Sequence, residues 1–179
     1  MSPAAPLPTL DQLEELPVQF RATVGPEHLD RNGHMSTVNY VEFIGEAWRP
    51  TWKEVGIQWE TLPRDGLSTF VAEQSVRFHS ELLEGDDFSA YIRFVGRTHK
   101  AVHGVVFLVD DGRGRIATMG EQVVICVDVE ARRPAPFPSE VQAALQRRLR
   151  GHQTLAWEVP VLGQVGVRIK GRSNGEAGQ

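Results

Sequence analysis

The chain has 179 residues, of which 41% are hydrophobic, and its 19 basic and 23 acidic side chains give a formal net charge of −4 at pH 7. This length is typical of one domain. The near balance of charge excludes the broad basic surface that nucleic-acid binding requires. The N-terminal stretch lacks the basic and apolar regions of a secretory signal, and no apolar run approaches the ~18 residues of a membrane span. We therefore expect a soluble, cytoplasmic protein with no nucleic-acid and no membrane partner.

The first third of the chain contains three predicted elements. Residues 1–16 are rich in Pro, Ala and polar side chains, and we expect a flexible leader there. From residue 17 onwards, apolar and polar side chains alternate over VQFRATVG, which is the period of a strand with one buried face. After a polar loop, apolar and aromatic residues recur at helical steps, at Val41, Ile44, Trp48, Trp52 and Val55. The sequence thus predicts a leader, a strand and one long helix.

Both ends of this helix carry terminal signals. Asn39 and Glu42 have the spacing of a capping box, and Gly56 suits the left-handed position after a helix end. Pro50 lies inside the pattern, where it removes a backbone donor. We therefore expect the helix to be kinked, or to restart with Pro50 in a first turn.

Strand-like segments dominate the rest of the chain, at residues 68–80, 87–97, 100–110 and 114–130. No convincing helix separates them, which favours an antiparallel meander. A second helix is predicted over residues 139–151. An antiparallel sheet wrapped around one long central helix is the α+β arrangement called the hotdog fold. We expect this domain to span residues 17–151, followed by a partly disordered C-terminal extension at 152–179.

The loop before the helix carries a recognisable motif. Residues 28–43, HLDRNGHMSTVNYVEF, resemble the signature region of the 4-hydroxybenzoyl-CoA thioesterase-like family, where Asp-x-x-Gly-His precedes a Tyr in the first turn of the central helix. The four matching residues are Asp30, Gly33, His34 and Tyr40. With Asn32 and Met35, the string Asp-x-Asn-Gly-His-Met resembles the branch that includes betainyl-CoA thioesterases. The chain departs from the commoner pattern at Ser36 and Thr37, where that pattern has two Asn.

The resemblance covers roughly residues 18–145 and implies an acyl-CoA thioesterase, a hydrolase that releases a free acid and CoA. This chemistry needs a carboxylate that activates water or attacks the carbonyl carbon, and donors aimed at the carbonyl oxygen. Asp30 is the candidate carboxylate, and the sequence leaves both roles open. Gly33 would allow close approach to the positive end of the helix, and His34 is the third catalytic candidate.

Five residues are candidates for substrate binding: Asn32, Met35, Tyr40, Trp48 and Glu73. Aromatic residues in and after the helix suggest a cage for a betaine-like quaternary ammonium group, formed by Tyr40, Phe43, Trp48, Trp52 and Trp59. The alternative is that Trp48 and Trp52, four residues apart on one helix stripe, pack in the core. For Glu73 the alternative is a surface ion pair with Arg77.

Glu121 is a second-tier candidate acid. It alternates in register with Met119 and Val123, so a regular strand would bury it and raise the pKa of its carboxyl group. Gly120 is a plausible bulge that would instead turn Glu121 to solvent, and we favour this second interpretation.

No metal and no cofactor are expected. His99 and His103 share one face of a predicted strand, but no third ligand is evident. By resemblance, CoA enters only as part of the acyl-CoA substrate, and related folds place the site between subunits, which implies a homodimer or homotetramer.

Two other functions remain open at this point. A hotdog hydratase or dehydratase would hydrate an enoyl thioester without releasing thiol, with an Asp and a His sharing the proton transfers. A sensor would bind acyl-CoA without turnover, although a carboxylate such as Asp30 is costly in a purely apolar pocket.

Overall fold

The structure, a computed structural model, describes residues 5–57, 66–161 and 165–167. Its helices are α1 (Leu10–Glu14), α2 (Thr37–Glu46), α3 (Trp48–Glu54) and α4 (Ser139–Gln153). Its strands are β1 (Val18–Thr23), β2 (Leu67–Phe78), β3 (Asp87–Arg97), β4 (Ala101–Asp110), β5 (Arg115–Asp128) and β6 (Arg133–Pro134). No helix in these ranges is long and apolar enough to cross a membrane.

One antiparallel sheet contains all six strands, in the order β1-β3-β4-β5-β2 with β6 on β5. The meander prediction is right for β3, β4 and β5 and wrong for β2, which pairs with β5 at the far edge. Because β1 occupies the free side of β3, the strand that follows the helix must join the opposite edge. The sheet and the helix packed against it form the predicted hotdog architecture.

The central helix is split in two. α2 ends at Glu46 and α3 begins at Trp48 with Pro50 in its first turn, so the predicted restart is confirmed. Gly56 has φ +92°, which matches its predicted left-handed position after the helix. The predicted capping box is wrong, because Ser36 is the N-cap residue and its side chain accepts from the Asn39 backbone amide.

The inner face of the sheet packs closely against α2 and α3. Two strand glycines make room for this contact. A Cβ atom at Gly104 would lie 2.9 Å from the Trp48 ring, and one at Gly120 would lie 2.6 Å from Ile44. Since real side chains do not approach so closely, both helices lie against the glycine backbone at these two points. The close packing of the helices on the sheet fixes the start of α2 relative to β2.

The outer face of the sheet is also covered. Leu13 in α1 and Leu16 after it are buried there, together with Trp157 from the segment after α4. The expectation of a loosely attached leader is therefore wrong for Leu10–Leu16, because two leucines suffice to dock a short helix when a strand face lies beneath them. This contact and the one made by Trp157 also explain why β4 is buried on both faces.

Candidate active site

The loop between β1 and α2 folds back on itself around Asp30. The Asp30 amide donates to the His34 carbonyl at 2.9 Å, and the Gly33 amide donates to the Asp30 carbonyl at 3.1 Å. Gly33 has φ +81°, a left-handed conformation that favours glycine. Among the described residues other than its two chain neighbours, none has an atom within 4 Å of a Cβ placed there, so the conformation of the turn, and not crowding, accounts for the glycine.

The Asp30 carboxylate is held by its neighbour two residues on. Its Oδ1 accepts from the Asn32 backbone amide at 2.7 Å and its Oδ2 from the Asn32 side chain at 3.1 Å. Partial desolvation would raise the pKa of this carboxyl group, but the Asn32 amide, the His34 ring and the Asn32 side chain together hold it below its ordinary value. Asp30 is therefore an anion at neutral pH, and its side chain remains 30% exposed.

The loop is fixed to the segment that follows β2. The Met35 amide donates to the Leu82 carbonyl at 2.8 Å, and His34 forms a β-bridge with Leu83. The Tyr40 hydroxyl accepts from the Leu82 amide at 2.9 Å and is therefore occupied by the backbone. These contacts bring the start of α2 against residues that are about forty positions away in the sequence.

A pocket of 330 Å³ opens between these two segments. It is lined by His34, Met35, Thr37, Tyr40, Phe78, His79, Ser80 and Glu81. Three residues predicted from the motif, His34, Met35 and Tyr40, thus face one pocket. Asp30, Asn32 and Gly33 lie in the turn that presents His34 to it and are not in its wall.

Two residues of the pocket wall, His34 and Thr37, lie next to a charge and a backbone donor. The His34 Nδ1 lies 3.2 Å from the Met35 carbonyl and 3.7 Å from Asp30 Oδ1. Thr37 begins α2, and no acceptor for its amide is found in the described part of the chain. A free amide at a helix start carries partial positive charge and favours a developing oxyanion. An anion thus lies 3.7 Å from one residue of the pocket wall, His34, and a backbone amide without an acceptor in the described residues belongs to another, Thr37.

A family model described as thioesterase-like superfamily matches residues 24–145, more than half of the chain. The chain belongs to the thioesterase-like superfamily. The matched region contains the Asp30 turn, both central helices and every residue of the pocket wall.

One curated relative and two solved structures are similar to this chain. A betainyl-CoA thioesterase of Pseudomonas aeruginosa is 26% identical over 136 residues, which cover 76% of this chain and 86% of that protein. A Staphylococcus aureus protein solved with CoA has a TM-score of 0.75 at 19% identity, covering 86% of this chain and 97% of that one. A Thermus thermophilus thioesterase solved with coenzyme A and Zn has a TM-score of 0.62 at 22% identity, with coverage of 73% and 98%. At these identities the two structures establish the shared fold.

Trp48 does not face the pocket of this superfamily member. It is 2% exposed, its indole nitrogen donates to Gln122 at 2.5 Å, and its ring stacks on Trp52 at a centroid distance of 5.3 Å. Phe43 packs with Phe20 and Phe88, and Trp59 lies outside the described residues. The tryptophan cage is therefore not formed in the described part of the chain, and core packing is the correct interpretation of Trp48 and Trp52.

Glu73 also lies away from the pocket. It is on β2, beside a bulge between Val71 and Glu73, and its Oε2 accepts from the Gly166 amide at 3.3 Å. Glu73 is thus a contact for the C-terminal segment, and the described residues show no ion pair with Arg77.

Glu121 is fully buried, so the expectation that it faces solvent is wrong. β5 runs through Gly120 without a bulge, with Gly120 paired to Val106 and Glu121 to Val105. Glu121 Oε1 lies 2.8 Å from His103 Nε2 on the outer face of the sheet. Strict alternation along the strand, without the assumed bulge, would have predicted this burial.

Four pocket residues that the motif does not reveal are Phe78, His79, Ser80 and Glu81. Phe78, His79 and Ser80 end the strand predicted at residues 68–80 and Glu81 follows it, but only the pairing of β2 with β5 brings them to the start of α2. A pattern of spacing carries no signal for such a non-local contact. Within the described ranges, no group of three or more His, Cys, Asp or Glu side chains is arranged to hold a metal ion.

Proposed function

We propose that this protein is an acyl-CoA thioesterase that hydrolyses an acyl-CoA thioester to a free acid and CoA. The observation that carries the proposal is an ionised carboxylate, Asp30, in a tight turn beside a pocket at the start of α2. Membership of the thioesterase-like superfamily and a relative named as a betainyl-CoA thioesterase support the same reaction.

In this proposal the turn places Asp30 near the carbonyl carbon of a thioester bound at the pocket mouth. Asp30 acts as a general base or as a nucleophile that forms a mixed anhydride. The amide of Thr37 and the dipole of α2 stabilise negative charge on the carbonyl oxygen. Gly33 gives the turn its shape, Asn32 holds the carboxylate, and His34 supports it from the pocket side.

We further propose that the pocket takes a small cationic acyl group of the betaine type. Tyr40 and Phe78 contact each other edge to face at 5.3 Å, and Glu81 lies in the same pocket wall. Aromatic faces and a carboxylate attract a quaternary ammonium group. Met35 adds an apolar floor that is 1% exposed.

Thiol release with a chromogenic reagent tests the reaction and the acyl group together. We expect turnover on betainyl-CoA, with a kcat/KM about tenfold or more above that for 3,3-dimethylbutanoyl-CoA, the uncharged analogue of equal size, since cation–π contacts contribute about 0.5–2 kcal/mol each. Equal kcat/KM values would refute the cationic preference. Hydration of enoyl-CoA without thiol release, or saturable binding without turnover, would instead support the hydratase or the sensor.

The described residues also favour a homo-oligomer, which we propose to be a dimer or tetramer assembled through β2. This twelve-residue strand is a sheet edge, and Phe70, Val71 and Phe78 on it are each about half exposed, at 50%, 51% and 50%. At the opposite edge, β1 pairs with only the first half of β3. The second half of β3 is covered by α4, where the Phe94 amide donates to His152. A long apolar edge strand that stays unpaired promotes aggregation. We therefore propose that β2 pairs with a second copy of this chain.

Substitution of Phe70 by Asp is expected to dissociate this assembly. A charge in an apolar interface costs several kcal/mol, while at an exposed strand position it costs the monomer little. Light scattering should therefore report the monomer mass for Phe70→Asp and a dimer or tetramer mass for wild type. Val18→Asp is the matched control, since Val18 is 37% exposed on the opposite edge strand. A monomeric wild type, or an unchanged mass for Phe70→Asp, would contradict the proposed interface.

We place the protein in the cytoplasm. Its one cysteine, Cys126, is buried and forms no disulfide, which suits a reducing compartment.

A further inference from the structure

Two imidazole rings line the proposed acyl pocket, and they differ in their partners. His34 Nδ1 is within 3.2 Å of the Met35 carbonyl and 3.7 Å of Asp30. For His79, the described residues provide a hydrogen bond only to its backbone, since its amide donates to the Ala117 carbonyl at 2.8 Å. His34 therefore belongs to the turn, whereas the ring of His79 is available to a ligand.

The position of His79 is nevertheless well determined. It follows directly on Phe78, the last residue of β2, whose ring contacts Tyr40. The amides of His79 and Ser80 share the Ala117 carbonyl, at 2.8 Å and 3.2 Å, which ties this segment to β5. The fixed backbone limits where the ring can lie, and an imidazole nitrogen without a partner in the described residues is able to take up a proton.

His79 also separates two hollows. On one side is the pocket that contains His34, Tyr40 and Glu81. On the other is a hollow of 280 Å³, walled by residues 7–10, His79, Ser80 and residues 114–116.

Burial and one nearby cation favour the neutral form of the His79 ring. Partial burial lowers its pKa below the ordinary 6.5, and Arg77 on the same strand lowers it further. The other titratable groups in the two hollows are His34, Tyr40, Glu81 and Arg115. Asp30 is already ionised far below neutral pH, so it does not account for a change of activity near pH 6. A neutral imidazole is able to accept a proton.

We propose that His79 accepts the proton of the hydrolytic water, which leaves Asp30 as the nucleophile. This inference rests on the proposed thioesterase function. Asp30 attacks the carbonyl carbon, the C–S bond breaks, and the thiolate leaves with the bonding pair. Water then adds to the acyl carbon of the anhydride while its proton passes to His79. The C–O bond to Asp30 breaks, which restores the carboxylate and releases the acid, and the imidazolium returns its proton to the thiolate or to solvent.

Rapid mixing of enzyme with acyl-CoA tests this division of roles in the full-length protein. His79→Gln should show a burst of one thiol per site followed by turnover about 100-fold slower than wild type, because removing a general base costs about 100-fold or more. Its steady-state rate should also lose the acidic decline that wild type shows below about pH 6.5. His34→Asn should retain that decline.

His99→Gln is the matched control, because His99 is an exposed histidine in the turn between β3 and β4. It should match wild type in rate, burst and pH profile. If the wild type is active, two results would overturn the role of His79 and leave the proposed function standing. These are a His79→Gln rate within about threefold of wild type, or a slow rate without a burst. A wild type that releases no thiol from any acyl-CoA would overturn the proposed function and, with it, this inference.

Discussion

Asp30→Asn is expected to lower kcat for thioester hydrolysis at least ~100-fold, because the amide neither attacks a carbonyl carbon nor accepts a proton from water. In the wild-type protein the Asn32 backbone amide donates to Asp30 Oδ1 at 2.7 Å. The Asn side chain of the variant has nearly the same shape, and its Oδ1 is able to accept the same hydrogen bond. The turn should therefore persist. Steady-state thiol release measures kcat, and urea unfolding should show a stability within about 1 kcal/mol of wild type.

Asp128→Asn is the matched control for this substitution. Asp128 also caps a turn with its carboxylate, accepting from the amides of Glu130 at 3.0 Å and Ala131 at 2.8 Å, but it lies at the end of β5. The control should keep full activity. If both variants retained wild-type kcat, Asp30 would be only a turn residue; if both lost activity equally, the loss would be an effect of turn stability.

Local patterns predicted the elements of the fold because they depend on near neighbours. Strand-like segments predicted β2, β3, β4 and β5, alternation predicted β1, and Pro50 marked the restart of the central helix within two residues. The order of the strands was less accessible. The pairing of β2 with β5 joins residues such as Phe78 and Thr118, forty positions apart, and no local pattern encodes which edge a strand will join.

The candidate site divides in the same way. The motif led to Asp30, His34 and Tyr40 because the turn and the first turn of α2 are contiguous in sequence. His79 and Glu81 reach the pocket only through the sheet, so the motif did not reveal them.

The expectations for Trp48 and Glu121 failed for a different reason. Each residue type permits two environments, and the choice depends on what covers it. Trp48 is buried because Gly104 lets the helix lie against β4. Glu121 keeps the alternation of β5 because Gly120 forms no bulge, and it is buried because the outer face is covered, with His103 within hydrogen-bonding distance of its carboxyl group. In both cases the burial depends on residues that are distant in the sequence.

The largest pH effect on stability is expected from His152 in α4, which closes the free edge of β3. Its Nδ1 accepts from the Phe94 amide at 2.7 Å, so the ring must lack a proton there. Burial first, then the nearby Arg148 and Arg93, lower the pKa of His152 to about 4. The unfolded chain, with an ordinary histidine pKa near 6.5, binds this proton more readily between the two values.

Stability from His152 is thus fully present above about pH 6.5 and is lost as the pH falls towards 4, by about 3 kcal/mol in total. Urea unfolding at several pH values in this window measures the slope. His152→Asn should flatten it, because Oδ1 of Asn still accepts from Phe94 but does not titrate, whereas His99→Asn should keep the wild-type slope. An equal slope in wild type and His152→Asn would show that the edge of β3 is closed by a contact other than this neutral imidazole.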